Sequence, residues 1–249
     1  MRTIAKKTPR STAKTSQTRA PDPRIEIPLG PTAYSRAYFM LKQAVLSGDF
    51  RPSQVITLRM VTALLGMGVM PAREALKRLI SEGAFRAMPN RSARVPVLDK
   101  KEIMQLCELR QYLESKAAFL AAQNISLHQI AHLRSLHEGM IASIAGGDLA
   151  EYKRLNMAFH FEIYRIADNK PLESLIDSLW LRMAPFISRT INRLTTVPGR
   201  FDDIANCRHA DILVAFQNRD AEAARAAMHL DLSEIHESYW DGYTEAADD

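Results

Sequence analysis

Cysteine is scarce in this chain: Cys107 and Cys207 are the only two in 249 residues. They give neither a disulfide framework nor the paired spacing of a metal knuckle, so a reducing, cytoplasmic setting is the default. No uninterrupted apolar run reaches the roughly 18 residues that mark a membrane-spanning helix, and no membrane partner is expected. The N-terminus lacks the apolar stretch of a secretory signal, because Lys, Arg, Thr and Pro interrupt it. There is no repeat of fixed period, and beyond Asp99 there is no strand signal. These absences exclude disulfide scaffolds and repeat arrays. What remains is 47% hydrophobic and 24% charged, a balance ordinary for soluble domains, in a chain long enough for one large domain or two modest ones.

Charge is unevenly spread. Residues 1–30 carry seven Lys/Arg against two acids, residues 31–98 ten against three, and residues 99–249 sixteen against twenty-three. A basic front joined to an acidic back points to a polyanion as the partner of the front half; a chance excess on solvated faces would give the same numbers. Residues 1–30, rich in Thr, Ser, Pro and Lys/Arg, have too few large apolar residues to fold and read as a disordered basic arm. Such an arm either adds salt-dependent affinity for nucleic acid or is an inert tail.

Helical spacing runs from Tyr34 to Leu46, with Gly48 as its stop. A short helix is expected over Leu58–Leu65, ended by Gly66, and a second over Met70–Glu82 with a core face of Ala72, Ala75, Leu76 and Leu79. Two extended pieces, Ala84–Met88 and Ala93–Val97, flank the turn 89–92. Asp99 then caps a long helix with the apolar stripe Ile103, Leu106, Leu109, Leu113, Ala117 and Leu120; Ser126 caps the next, and Asp148 starts another. Helical pattern continues over 172–194, where Pro185 bends or interrupts it, and over 202–217 and 220–239. The expected fold class is mainly α: an N-terminal winged helix-turn-helix with a small β-wing over 31–98, then a C-terminal all-α helical bundle over 99–249.

In a helix-turn-helix the N-terminal end of the second helix reaches base edges and phosphates. Here that end holds Arg73, with Lys77 further along; the first helix offers Arg59 and the wing tip Asn90 and Arg91. Arginine suits both phosphate and guanine, although surface arginines on any small basic domain would look alike.

At these residues the chain resembles a known family. Gly48, Pro52, Leu65-Gly66, Pro71-x-Arg73-Glu74-Ala75-Leu76, Leu79, Glu82-Gly83 and Pro89-Asn90-Arg91 with Val95 are similar to the winged helix-turn-helix of GntR-type bacterial regulators. The resemblance implies operator contacts from Arg59, Arg73 and the wing tip near Asn90 and Arg91; Lys77, further along the same helix, is a further candidate, and the expected assembly is a homodimer reading a palindromic double-stranded DNA operator. Gly68, Val69 and Met70 stand where such proteins usually carry Ser or Thr, Arg and Thr, and Ser92 stands where the wing usually has Gly, so the operator need not follow the family's consensus.

The helical part resembles the ligand-binding FCD domain of the FadR-like branch. Glu108-Leu109-Arg110 with Leu113-Glu114, Phe159-His160 with Asn169 and Leu172, and Arg208-His209 with Asp220 and Ala223-Ala224 carry that likeness. Many such domains gather an Asp and three His on a divalent metal. The matching positions are Asn156, His160, His209 and Asp231, so the usual Asp is Asn and the last His is Asp. Two imidazoles and a carboxylate suit Zn²⁺, Ni²⁺ or Mn²⁺; a polar pocket without metal is the other reading. His128, His132, His137 and His236 read as ordinary surface or helix residues. The resemblance further implies a small carboxylate metabolite as effector, with Arg110 and Arg182 as its anion partners, although Arg110 could instead pair with Glu114 one turn on. The function expected is a DNA-binding transcription regulator, a repressor, controlled by that effector. A metal-free regulator of acyl ligands is the alternative, and a metal-dependent enzyme using His160 and His209 is the rival from another class.

Overall fold

The computed structural model describes residues 32–89, 92–194 and 200–238. The basic arm, the wing-tip pair Asn90 and Arg91, and the loop around Pro198 lie outside the described residues. Helix α1 (Ala33–Leu46) starts where the Thr32 hydroxyl accepts the Ser35 amide, and it buries Ala37, Leu41, Ala44 and Val45. Helix α2 (Leu58–Leu65) is capped by Thr57 and ends on Gly66, whose φ of 60° suits a residue without Cβ. Helix α3 (Val69–Ser81) packs on α1 and α2 through Ala72, Ala75, Leu76 and Leu79.

A three-stranded antiparallel sheet, β1 (Val55–Ile56), β2 (Arg86–Ala87) and β3 (Ala93–Arg94), is ordered β1-β3-β2. Arg94 pairs with Val55 on one side and Arg86 on the other. The hairpin is the one read from sequence; β1, at two residues, is too short for alternation to reveal it. Phe50 and Phe85 meet edge to face at 5.5 Å beneath it.

The bundle is α4 (Lys100–Asn124), α5 (Leu127–Ala145), α6 (Leu149–Ile166), α7 (Lys170–Leu194), α8 (Arg200–Gln217) and α9 (Ala221–Ser238). Asp99 with Glu102 and Ser126 with Gln129 form complete capping boxes at the starts of α4 and α5. Helix α4 is central, packed against α6, α7 and α9. Its buried stripe differs from the expected one. Leu109 is exposed, and the inward face instead runs through Ile103, Leu106, Cys107, Arg110, Glu114, Ala117, Ala118 and Ala121. A charged pair takes the inside positions because each charge neutralises the other. No described helix is long and apolar enough to cross a membrane.

Helix α7 joins the two parts. It continues through Pro185 and packs on α1 as well as on α4 and α6. Asp177 on α7 forms an ion pair with Lys42 on α1. At Gly48, φ is 73° and a Cβ would overlap the side chain of Ser188 on α7, so the backbone of the turn after α1 sits directly on that helix.

Candidate nucleic-acid interface and a buried polar centre

The first turn of α3 presents a mixed surface. Gly68 provides no side-chain cap, which leaves the first amides of α3 without a side-chain acceptor. Val69 and Met70 are exposed there, at 51% and 54%. Arg73 follows one turn in; its Nε is buried and has no hydrogen-bond partner. Lys77 is exposed and reaches Glu74 at 2.9 Å, a solvated pair of little strength. Arg59 is exposed on α2. Arg78 stacks 3.7 Å over the Tyr38 ring and bonds Glu82 at 2.9 Å, which ties it to the fold. The structure thus brings Arg73 and Lys77 onto one helix.

Inside the bundle, α6, α8 and α9 deliver His160, His209 and Asp231 to one point, all three buried. Nε2 of His160 lies 3.3 Å from Nε2 of His209 and 3.5 Å from Asp231 Oδ2, while His209 Nε2 lies 3.6 Å from Asp231 Oδ1. Two ligand atoms about 2.1 Å from one ion at the tetrahedral angle are about 3.4 Å apart. A small void beside this group is lined by Asn156, one turn before His160 on α6, together with His160, Cys107, Arg110 and Trp180, and the Asn156 Oδ1 is buried without a partner. The void measures about 10 Å³, room for one ion or one water. The spacing and donor set of His160, His209 and Asp231 fit a divalent cation, and that group could hold one. His229 is exposed.

A relay holds His160 in place. Arg110 donates to Glu114 from Nε at 2.7 Å and from Nη2 at 3.4 Å, and its guanidinium lies 4.7 Å from the Trp180 ring centre. The Tyr164 hydroxyl donates its one proton to Glu114, and its oxygen lies 3.2 Å from Nδ1 of His160. Nδ1 must therefore be the donor in that second bond, which leaves Nε2 unprotonated and facing His209 and Asp231. Burial, then His209 and Arg110, holds the His160 imidazole well below its ordinary range, so it is neutral. Burial, then Glu114, raises Tyr164 well above the usual phenol range. Cys107, which also lines the void, is pushed up to about 11 by burial and is an inert thiol.

Three of the residues singled out from sequence take these positions. Arg110 lines the void, but its charge is matched by Glu114, so it is no free anion receptor. Arg182 is exposed and lies against Gly83 rather than in the bundle. His137, read as an ordinary residue, is buried with its ring 6.0 Å from that of His209, and its Nδ1 has no partner. Its apolar spacing with Leu133 and Met140 carried the signal that it points inward. His128 and His132 are exposed.

Two family descriptions match this chain: the gntR family of bacterial regulatory proteins over residues 33–95, and the FCD domain over residues 105–234. The HTH-type transcriptional regulator McbR of Escherichia coli is 28% identical over 188 residues, 74% of this chain and 82% of that protein. The Nta operon transcriptional regulator of Aminobacter aminovorans is 31% identical over 154 residues, 60% of this chain and 72% of that protein. The transcriptional repressor RspR of Escherichia coli is 27% identical over 222 residues, 86% and 92% of the two chains. The structure of Escherichia coli McbR/YncC superposes with a TM-score of 0.75 at 24% identity, covering 84% of this chain and 99% of that one. A GntR transcriptional regulator from Rhodococcus sp. RHA1 gives 0.65 at 19% identity, covering 85% and 99%. These likenesses show the fold, and the sequence relatives are transcription regulators, not enzymes.

Proposed function

We propose, for a chain that belongs to the GntR family of bacterial regulatory proteins and carries an FCD domain, that it is a homodimeric repressor whose bundle is organised by a divalent cation. Residues 31–98 form the DNA-reading part and residues 99–249 the effector-binding and dimerising part. Two copies of α3 enter successive major grooves of a palindromic operator, with Arg73 and Lys77 at the groove, Arg59 on the backbone, and Asn90 and Arg91 at the wing tip. The place of Arg73 in the first turns of α3, behind the exposed Val69 and Met70, supports this. The description of RspR as a repressor favours repression. The basic arm adds salt-dependent affinity along the duplex.

One observation carries the cation: His160, His209 and Asp231, all buried, bring their ligand atoms within 4.8 Å of one another, with the unsatisfied Asn156 carbonyl one turn before His160 on α6. These four residues would hold the ion, which would supply positive charge at the centre of the effector-binding bundle. His160 is kept neutral and correctly turned by Tyr164, and the Arg110–Glu114 pair holds Tyr164. The effector acts only as far as it binds one dimer geometry more tightly than the other.

Metal analysis of protein purified without added metal, followed by stripping and titration with Zn²⁺, Ni²⁺ and Mn²⁺, tests the reading. One ion per chain and a stripped protein with altered operator affinity are expected. A stripped protein that takes up none of the three overturns the cation.

A further inference from the structure

The void in the bundle is too small for an organic ligand, but a second cavity is not. A groove of about 550 Å³ opens where the turn after α1 meets α7, within the range of small-molecule sites and at the junction where such sites favour. Its apolar lining comes from Phe50, Pro52 and Val97 on one side and Pro185 and Phe186 on the other. Arg51 stands on the first side and Arg189 on the second, both exposed. Among the described residues neither guanidinium has an ion-pair partner.

The one acid on the wall is Asp49. Burial lowers the pKa of the nearby Lys153 and Asp49 opposes that, while the Lys153 ammonium reaches across to Ser188 at 2.9 Å. The balance around the groove is therefore cationic. The turn that carries Arg51 is also rigid. The Arg51 amide donates to Gln54 Oε1 at 2.9 Å, and the Gln54 amide donates back to Arg51 O at 3.1 Å. Ser53 is held at a φ of 69° by its amide bond to Val95 O at 3.1 Å. A non-glycine residue in that region is a strained one, and such strain collects at binding sites.

We propose that this groove is a binding site for an amphipathic organic anion, one carboxylate on a flat apolar body, separate from the cation centre. The carboxylate lies between Arg51 and Arg189, and the apolar body lies over Phe50 and Phe186. Because one arginine belongs to the DNA-reading part and the other to the bundle, an occupant bridges the two parts.

Calorimetric titration of the full-length protein with 2-naphthoate, and with 2-naphthamide as its neutral counterpart, tests this. The acid is expected to bind once per chain and about tenfold or more tightly than the amide, the scale of hydrogen bonds to charged groups. The double variant Arg51→Gln/Arg189→Gln should erase that difference with an unchanged melting temperature, as both side chains are exposed. Asn156→Ala should leave it intact. Absence of saturable 2-naphthoate binding, equal affinity for acid and amide, binding untouched by the double variant, or binding abolished by Asn156→Ala would each overturn the site.

Discussion

Nε2 of His160 and Nε2 of His209 face each other at 3.3 Å in the bundle, both buried and on different helices. With its proton on Nδ1, His160 can only accept at Nε2, so His209 must donate there or both nitrogens must meet a cation. The first arrangement leaves Asn156 Oδ1 unsatisfied; the second would offer it a partner if Asn156 belongs to the proposed ligand set. Asn156→Asp adds an anionic ligand at the same position. Metal affinity should rise by about tenfold or more, since a carboxylate suits the hard and borderline divalent ions better than an amide. The stripped variant should melt lower than the stripped parent, because a carboxylate would be buried unpaired. Competition with a chromogenic chelator and thermal melts, each with and without metal, read both arms. Unchanged metal affinity in the variant removes Asn156 from the ligand set.

The Arg110–Glu114 pair is buried at both ends. Removing one partner from such a pair typically costs about 3–5 kcal/mol, while replacing both by apolar groups of similar volume is often near neutral. Glu114→Gln is expected to destabilise on that scale, and Arg110→Met with Glu114→Leu to recover most of the loss. Only the double variant should also lower metal affinity without unfolding, because Tyr164 loses its acceptor and His160 its orientation. Urea melts on the parent, Arg110→Met, Glu114→Leu and the double variant give the coupling energy; additive losses would show that the pair is not a unit.

Acid should weaken the metal-free protein through its buried histidines. Burial depresses both His160 and His137, with His209 adding to each. A depressed folded pKa gives stability that is fully present above the unfolded value, about 6.5, and that is lost as pH falls through the folded value. Between the two values the unfolded chain binds the extra proton, so each histidine contributes a slope of up to about 1.4 kcal/mol per pH unit. Stability measured in chelator should fall from about pH 6.5 downward, and His160→Gln should flatten the fall. A profile unchanged by that substitution would show that His160 is not the group being protonated.

Gly48 should tolerate no other residue. Alanine there meets a φ of 73° and overlaps Ser188 on α7. The strained backbone alone costs about 1–3 kcal/mol, and the overlap adds to it by forcing the turn away from the bundle. Ser188→Gly in the same chain should relieve the overlap but not the φ, recovering part of the loss. Differential scanning calorimetry distinguishes the outcomes, and equal stability of Gly48→Ala and the parent would show that the close approach is not maintained in solution.

The helical order and the wing hairpin were legible because caps, glycine stops and 3.6-residue spacing are local signals. Asp99, Ser126 and Gly66 act where the sequence places them. What failed to show was settled by tertiary partners. Leu109 fits the apolar stripe of α4 better than Arg110, yet Arg110 is inside because Glu114, Tyr164 and Trp180 are there to receive it. Strand β1 exists because Arg94 lies beside Val55, not because two residues make a pattern. Asn156, His160, His209 and Asp231 were traceable through family positions, whereas Tyr164 and His137 enter the centre only through the packing of α5, α6 and α8. The groove between Arg51 and Arg189 joins residues far apart in sequence and could not be read in advance.

The exposed Val69 and Met70 at the start of α3 bear on operator sequence. Apolar side chains at that place make no hydrogen bond to a base edge, and the group they fit in the major groove is the thymine methyl. In the proposed complex the amides behind Gly68 and the Arg73 side chain would position the helix on the duplex. Arg73→Ala should therefore cost about 1–3 kcal/mol in operator affinity. Replacing a contacted thymine by deoxyuracil removes one methyl and should cost about 0.8 kcal/mol, roughly fourfold, with the parent protein. With Met70→Ser and Val69→Ser the same replacement should cost nothing. Gel-shift titrations at fixed salt on paired thymine and uracil operators read both effects. Full discrimination retained by the serine variant would place the methyl contact elsewhere, and operator affinity unchanged by Arg73→Ala would remove α3 from the groove.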